Sequence, residues 1–162
     1  MQIETTRFGR IECPDEQKLR FERGLIGFYD EQEFMLINHG QSELIAWLQS
    51  TTTPDLAFPV VSVHAFSGYP DVEVKQSAER AGLTCAAADF AIMAVLAAPR
   101  GQPATVNLLA PLIIDTTTRQ GAQVVLDNTR FSARELFVLP PSPDQKAQPA
   151  RSEPSADEQQ TG

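Results

Sequence analysis

Apolar residues come in short runs, many of them alternating with polar ones and nearly all bounded by Gly, Pro, Asn or Ser, which is the pattern of many short strands. Residues 3–12 hold two β-compatible runs either side of Gly9 and predict a hairpin. Residues 18–21 alternate and lead into Gly24-Leu25-Ile26-Gly27-Phe28, where two glycines frame an apolar pair and predict a tight hydrophobic loop. The runs at 34–37 and 44–48, parted by Asn38-His39-Gly40-Gln41-Ser42, predict a second hairpin. Residues 58–63 are rich in β-branched side chains, and Pro59 favours the beginning of a strand or a sheet edge because it cannot donate to a ladder.

Farther along, Val72-Glu73-Val74 alternates and predicts a strand, while residues 77–82 carry helix formers ended by Gly82 and predict one short helix. Residues 89–98 suit a buried strand by length and by the flanking Pro99-Arg100-Gly101. Two more strands are expected at 108–114 and 123–126, joined by a turn in which Gly121 supplies a positive φ. The sum is a mainly β fold: a single compact β-barrel-like domain of short antiparallel strands over residues 1–139, with at most one or two short helices. From Pro140-Pro141-Ser142-Pro143 onward the chain has almost no apolar anchors, so residues 140–162 are expected to form a disordered tail.

Composition fits this picture and narrows the partners. A chain of 162 residues with 42% apolar content can enclose a real core. Its 21 acidic residues exceed its 13 Lys and Arg, and the net charge of −8 repels a polyphosphate backbone while attracting a basic protein. Two cysteines are too few for a disulfide framework, the first residues lack a long apolar run, and no stretch approaches the ~20 apolar residues of a membrane span. A cytoplasmic protein, monomeric when free, is the expectation.

Candidate chemistry is sparse. His39, His64, Cys13 and Cys85 show no local spacing that would bring two metal ligands together, so neither metal nor cofactor is expected. A thiol nucleophile at Cys85 with His64 as its base is one enzymatic alternative, against the commoner role of Cys85 as a small packed residue among Leu83, Thr84 and alanines. Asp71 and Glu73, two apart on the expected strand, would share a face as an acid-base pair, an acidic contact surface or an ordinary solvated edge. Leu25, Ile26 and Phe28 make either an exposed docking loop or a buried corner of the core. Trp47, Leu48 and Phe58 are assigned to the core, and Arg119, Arg130 and Arg134 to intramolecular or solvated roles.

Several segments, in order, resemble the FliW family of flagellar assembly factors. They are Thr6-Arg7-Phe8-Gly9; Phe21-Glu22-Arg23-Gly24-Leu25-Ile26-Gly27-Phe28; Trp47-Leu48-Gln49-Ser50 with Pro54-Asp55-Leu56-Ala57-Phe58; Tyr69-Pro70-Asp71-Val72-Glu73-Val74; residues 107–114; residues 119–126; and Thr129-Arg130-Phe131-Ser132-Ala133-Arg134. The resemblance implies a β-barrel-like fold, no catalysis, and a cytoplasmic protein that binds newly made flagellin or, alternatively, the translational regulator CsrA. Leu25, Ile26, Phe28, Asp71 and Glu73 are the expected contact residues. At Ser62-Val63-His64 the chain departs from the Asp-Pro that the family often shows.

Overall fold

A computed structural model describes residues 1–38, 44–83, 90–127 and 130–138. Gln2–Thr5 (β1) and Gly9–Glu12 (β2) form the expected amino-terminal hairpin, with Ile3 paired to Ile11. Then follow Lys18–Phe21 (β3), Glu33–Ile37 (β4), Ile45–Ser50 (β5) and Ala57–Ser62 (β6). Asp71–Arg80 is the helix (α1). The remaining strands are Phe90–Ala97 (β7), Thr105–Val106 (β8), Leu112–Asp115 (β9), Gln120–Gln123 (β10) and Glu135–Leu136 (β11).

Strands β7-β6-β5-β4-β3-β10-β9 are joined in that order, and β9 pairs back onto β7, so seven strands close into a barrel; β8 and β11 extend the sheet beyond β7. Closure removes the free edges that an open sheet would present along these strands. The mainly β barrel, with one α-helix among the described residues, agrees with the expectation, with one refinement: β3 and β10 run parallel, whereas the other described pairings are antiparallel.

Alternation along the strands divides the apolar residues between two sides of the wall. Leu19, Phe21, Phe34, Ala46, Leu48, Val60, Leu112 and Ile114 form the cluster inside the barrel. Val61, Ile92, Ala94, Leu96 and Ile113 point the other way and are covered by Val74 and Ala78 of α1 together with Tyr69, Leu108 and Val124. One outer face of the barrel is therefore as buried as its interior, which is why residues 90–97 read as a nearly continuous apolar run.

Three local expectations are corrected. Val72-Glu73-Val74 lies in the first turn of α1, because the buried residues are Val74 and Ala78, spaced by one helical turn, while Val72 is exposed. The helix ends as expected at Gly82 (φ 101°): the Gly82 N–H donates to the Glu79 carbonyl and the Leu83 N–H to that of Ala78. The strand expected over 108–114 begins only at Leu112, since the Asn107 side chain accepts the Ala110 N–H and folds the preceding residues into a turn. The last long strand likewise ends at Gln123, where it was expected to begin.

The positive φ in the turn before β10 belongs to Arg119 (φ 65°), not to Gly121. Its N–H donates to the Asp115 carbonyl, its own carbonyl accepts from Arg20 N–H, and its guanidinium donates to the Gln17 carbonyl. Those bonds offset the cost of a left-handed non-glycine residue, about 1–2 kcal/mol. The Asp115 carboxylate accepts the N–H groups of Thr118 and Thr117, which hold it below the usual carboxylate range. Pro59 is the third residue of β6, a strand paired on both sides, and the ladder to β7 begins one residue later at Val60.

Candidate partner-binding surface

The segment 24–29 forms a ridge built by two glycines. Gly24 adopts φ 66°, and a Cβ there would lie 2.6 Å from the carbonyl oxygens of both Phe28 and Tyr29. Gly27 (φ 86°) turns the chain back, so that the Phe28 N–H donates to Leu25 at 2.7 Å and the Leu25 N–H to Phe28 at 3.2 Å. The result is a tight loop, as the sequence predicts, with its two faces sorted by burial. Leu25 is 3% exposed and joins the barrel cluster, whereas Ile26 (48%), Phe28 (40%) and Tyr29 (65%) face solvent. Leu25 is thus the buried corner of the core, and Ile26 and Phe28 are exposed.

Aromatic rings seat the ridge on the barrel. Phe21 meets Phe34 edge-on at 5.6 Å, Phe34 contacts Phe58 at 6.3 Å, and Phe58 meets Phe28 edge-on at 5.1 Å. Such pairs add about 0.5–1.5 kcal/mol each beyond the area they bury. The tip is fixed by one amide. Gln123 Oε1 accepts the Ile26 N–H at 2.8 Å, and Gln123 Nε2 donates to the Ala110 carbonyl at 2.9 Å.

Two grooves flank the ridge. One, of about 690 Å³, runs between Glu22, Arg23 and Tyr29 and the end of α1 at Ala81, Gly82 and Leu83. The other, of about 290 Å³, is floored by Phe58, Val95 and Ala97 and edged by Arg134. Leu25, Ile26 and Gln123 line both. Exposed apolar side chains beside grooves of mixed polarity are a composition suited to protein docking.

Asp71 and Glu73 do not form a common acidic face. On a helix two residues apart point in nearly opposite directions, and the structure separates them accordingly. Asp71 Oδ2 lies 3.0 Å from His64 Nε2, while Glu73 lines a different recess with Pro70, Arg130 and Phe131. Both sit in the first turn of α1, where a carboxylate complements the helix dipole.

The remaining sequence candidates have local roles. Trp47 is half-buried on the outer wall, with the Arg7 guanidinium 4.1 Å over its ring and Phe8 edge-on at 6.0 Å, so its assignment to the core is corrected; Leu48 is in the core, and Phe58 is packed against it. Arg130 stacks on Phe131 and donates to the Ser67 carbonyl. Cys13 is a buried free thiol pushed up in pKa by burial. His39, Cys85 and residues 140–162 lie outside the described residues. Among the described residues no three His, Cys, Asp or Glu gather as metal ligands, and no helix is long and apolar enough to cross a membrane.

Sequence reasoning missed Gln123 and Tyr29. Tyr29 follows directly on the glycine-framed motif and could have been included with it; nothing in the sequence signals that Gln123 reaches a loop 97 positions earlier.

Comparison with known proteins agrees with this architecture. The FliW protein family matches residues 2–137. The flagellar assembly factor FliW of Desulfitobacterium hafniense is 37% identical over 141 residues, spanning 85% of this chain and 91% of that protein. Its counterpart from Bdellovibrio bacteriovorus is 36% identical over 138 residues, spanning 83% and 78%. A crystal structure of the flagellar assembly factor FliW superposes with a TM-score of 0.71 at 29% identity, over 86% of this chain and 98% of that one. The chain belongs to the FliW family of flagellar assembly factors.

Proposed function

We propose that this chain works by binding proteins, without catalysis, in the cytoplasm. It holds flagellin as a chaperone and, when flagellin is absent, binds and antagonises the translational regulator CsrA, so that flagellin synthesis follows flagellin export. The observation that carries this reading is the ridge: Ile26, Phe28 and Tyr29 stand exposed on a rigid loop between two grooves. An apolar ridge of that kind supplies the buried centre of an interface, and the chain's overall net charge of −8 favours the approach of a basic RNA-binding partner.

The contact proposed is thus the Ile26-Phe28-Tyr29 ridge. Asp71 with Glu73 is set aside as a joint acidic face, because the helix turns the two carboxylates apart. The test is calorimetric titration of flagellin, and separately of CsrA, into the wild-type protein and an Ile26→Asp, Phe28→Asp variant. Binding of both partners by the wild type and its loss in the variant would support the reading. Binding of neither partner by the wild type would reject it, and undiminished binding by the folded variant would remove the ridge from it.

A further inference from the structure

We propose that the recess between the turn of the amino-terminal hairpin and the loop after β5 binds a free α-amino acid, Arg7 taking its carboxylate and Asp55 with Gln49 its ammonium group. The recess has a volume of about 340 Å³, is lined by Thr6, Arg7, Gln49, Pro54, Asp55 and Ala57, and shares no lining residue with the two grooves beside the ridge. Gln49 is its buried element: it follows Leu48 of the inner cluster on β5, and it is 0% exposed. Its Nε2 is surrounded by the carbonyl oxygens of Ser50 (3.0 Å), Leu56 (3.1 Å), Pro54 (3.3 Å) and Thr53 (3.4 Å). Turning the amide over would set Oε1 against those oxygens, so the orientation of the amide is fixed. Oε1 is left buried with no hydrogen-bond partner among the described residues, and an acceptor in that state gains most from a donor brought from outside. The loop that carries the carbonyls is itself tied down: Ser50 Oγ accepts the Thr52 and Thr53 N–H groups, and the Pro54 carbonyl accepts the Thr6 N–H at 2.9 Å.

The two charged residues of the lining define the ligand. Arg7 and Asp55 are both exposed, and neither makes an ion pair among the described residues. The Arg7 guanidinium lies 4.1 Å over the Trp47 ring, a stacked position that leaves its N–H edge for a planar carboxylate. Asp55 and Gln49 Oε1 are both acceptors, which suits an ammonium group, a donor with no acceptor of its own. One cation and one carboxylate leave the lining neutral, which disfavours a simple anion or cation and matches a zwitterion. An internal peptide unit carries neither charge and a chain terminus carries one, whereas a free amino acid carries both within one small molecule. The volume sits at the low end of the roughly 300–1,000 Å³ of ligand pockets, as so small a ligand requires.

The test is calorimetric titration of each protein α-amino acid, singly, into the full chain, repeated for the tightest binder with its N-acetyl, carboxamide and N,N,N-trimethyl forms. At least one amino acid should bind, and each of the three modifications should weaken it by about tenfold or more. Trimethylation is the decisive one for Gln49, because it keeps the positive charge and removes every N–H that Oε1 accepts. Arg7→Gln and Asp55→Asn, both at exposed positions, should each weaken binding by a similar factor while circular dichroism shows the fold unchanged. Failure of every amino acid to bind overturns the proposal, as does binding that survives any of the modifications or either substitution undiminished. The outcome is independent of whether flagellin or CsrA binds the ridge, since the probes are small molecules and neither protein is present.

Discussion

The Phe21 ring lies against the backbone of Gly121: a Cβ at position 121 would come within 2.6 Å of Phe21 Cζ and 2.8 Å of Cε2. The two residues are direct partners across the parallel β3–β10 pair that helps to close the barrel. Glycine is required there by a ring on the neighbouring strand, and the backbone conformation does not demand it.

Gly121→Ala should therefore behave as an overpacking mutation inside the barrel, costing about 1–3 kcal/mol. Denaturant titration would show a lower midpoint with an unchanged slope. Because Phe21 begins the ring series that ends at Phe28, the same variant should also weaken partner binding.

Gly24 is constrained twice, by its φ of 66° and by carbonyl oxygens 2.6 Å from any added Cβ. Gly24→Ala should cost more than the roughly 1–2 kcal/mol of a left-handed non-glycine residue, since the clash is with backbone. Gly27 has a comparable φ of 86° with open space around it, so Gly27→Ala should show the conformational cost alone. Thermal melts of the two variants side by side separate the two effects.

Tyr69 is buried, and its hydroxyl donates to the Leu108 carbonyl at 2.6 Å. Tyr69→Phe leaves that carbonyl without its donor and should destabilise the fold by about 1–3 kcal/mol. Burial, and secondarily the charge of Asp71, raises the Tyr69 pKa in the folded state. The folded protein then keeps a proton that the unfolded chain loses, so this contribution to stability is complete below the unfolded value of about 10 and declines as pH rises beyond it. Unfolding curves between pH 8 and pH 11 should converge for wild type and Tyr69→Phe at the alkaline end, the pH range being about one to two units either side of the unfolded pKa.

The strands through β7, the amino-terminal hairpin among them, were legible because alternation and turn residues are local signals. The ridge was legible too, since two glycines three apart around an apolar pair leave few conformations open. Residues 71–74 misled because an alternation of only four residues is also compatible with the start of a helix, and what decides is the outer apolar face of β7 and β9, which needs Val74 and Ala78 to cover it. Gly121 was credited with a turn that Arg119 makes, because the Phe21 ring that excludes a side chain there is about a hundred positions away in sequence. Gln123 escaped notice for the same reason: it acquires its role only when the barrel closes β10 beside β3 and brings it to the ridge.

Competition calorimetry tests the central claim most directly: CsrA is titrated into the protein alone and into the protein saturated with flagellin, and the order is then reversed. The account predicts binding in the absence of the other partner and an apparent affinity reduced by about tenfold or more in its presence, in both orders, as two alternative partners require. Two partners that bind together with unchanged affinities would contradict it.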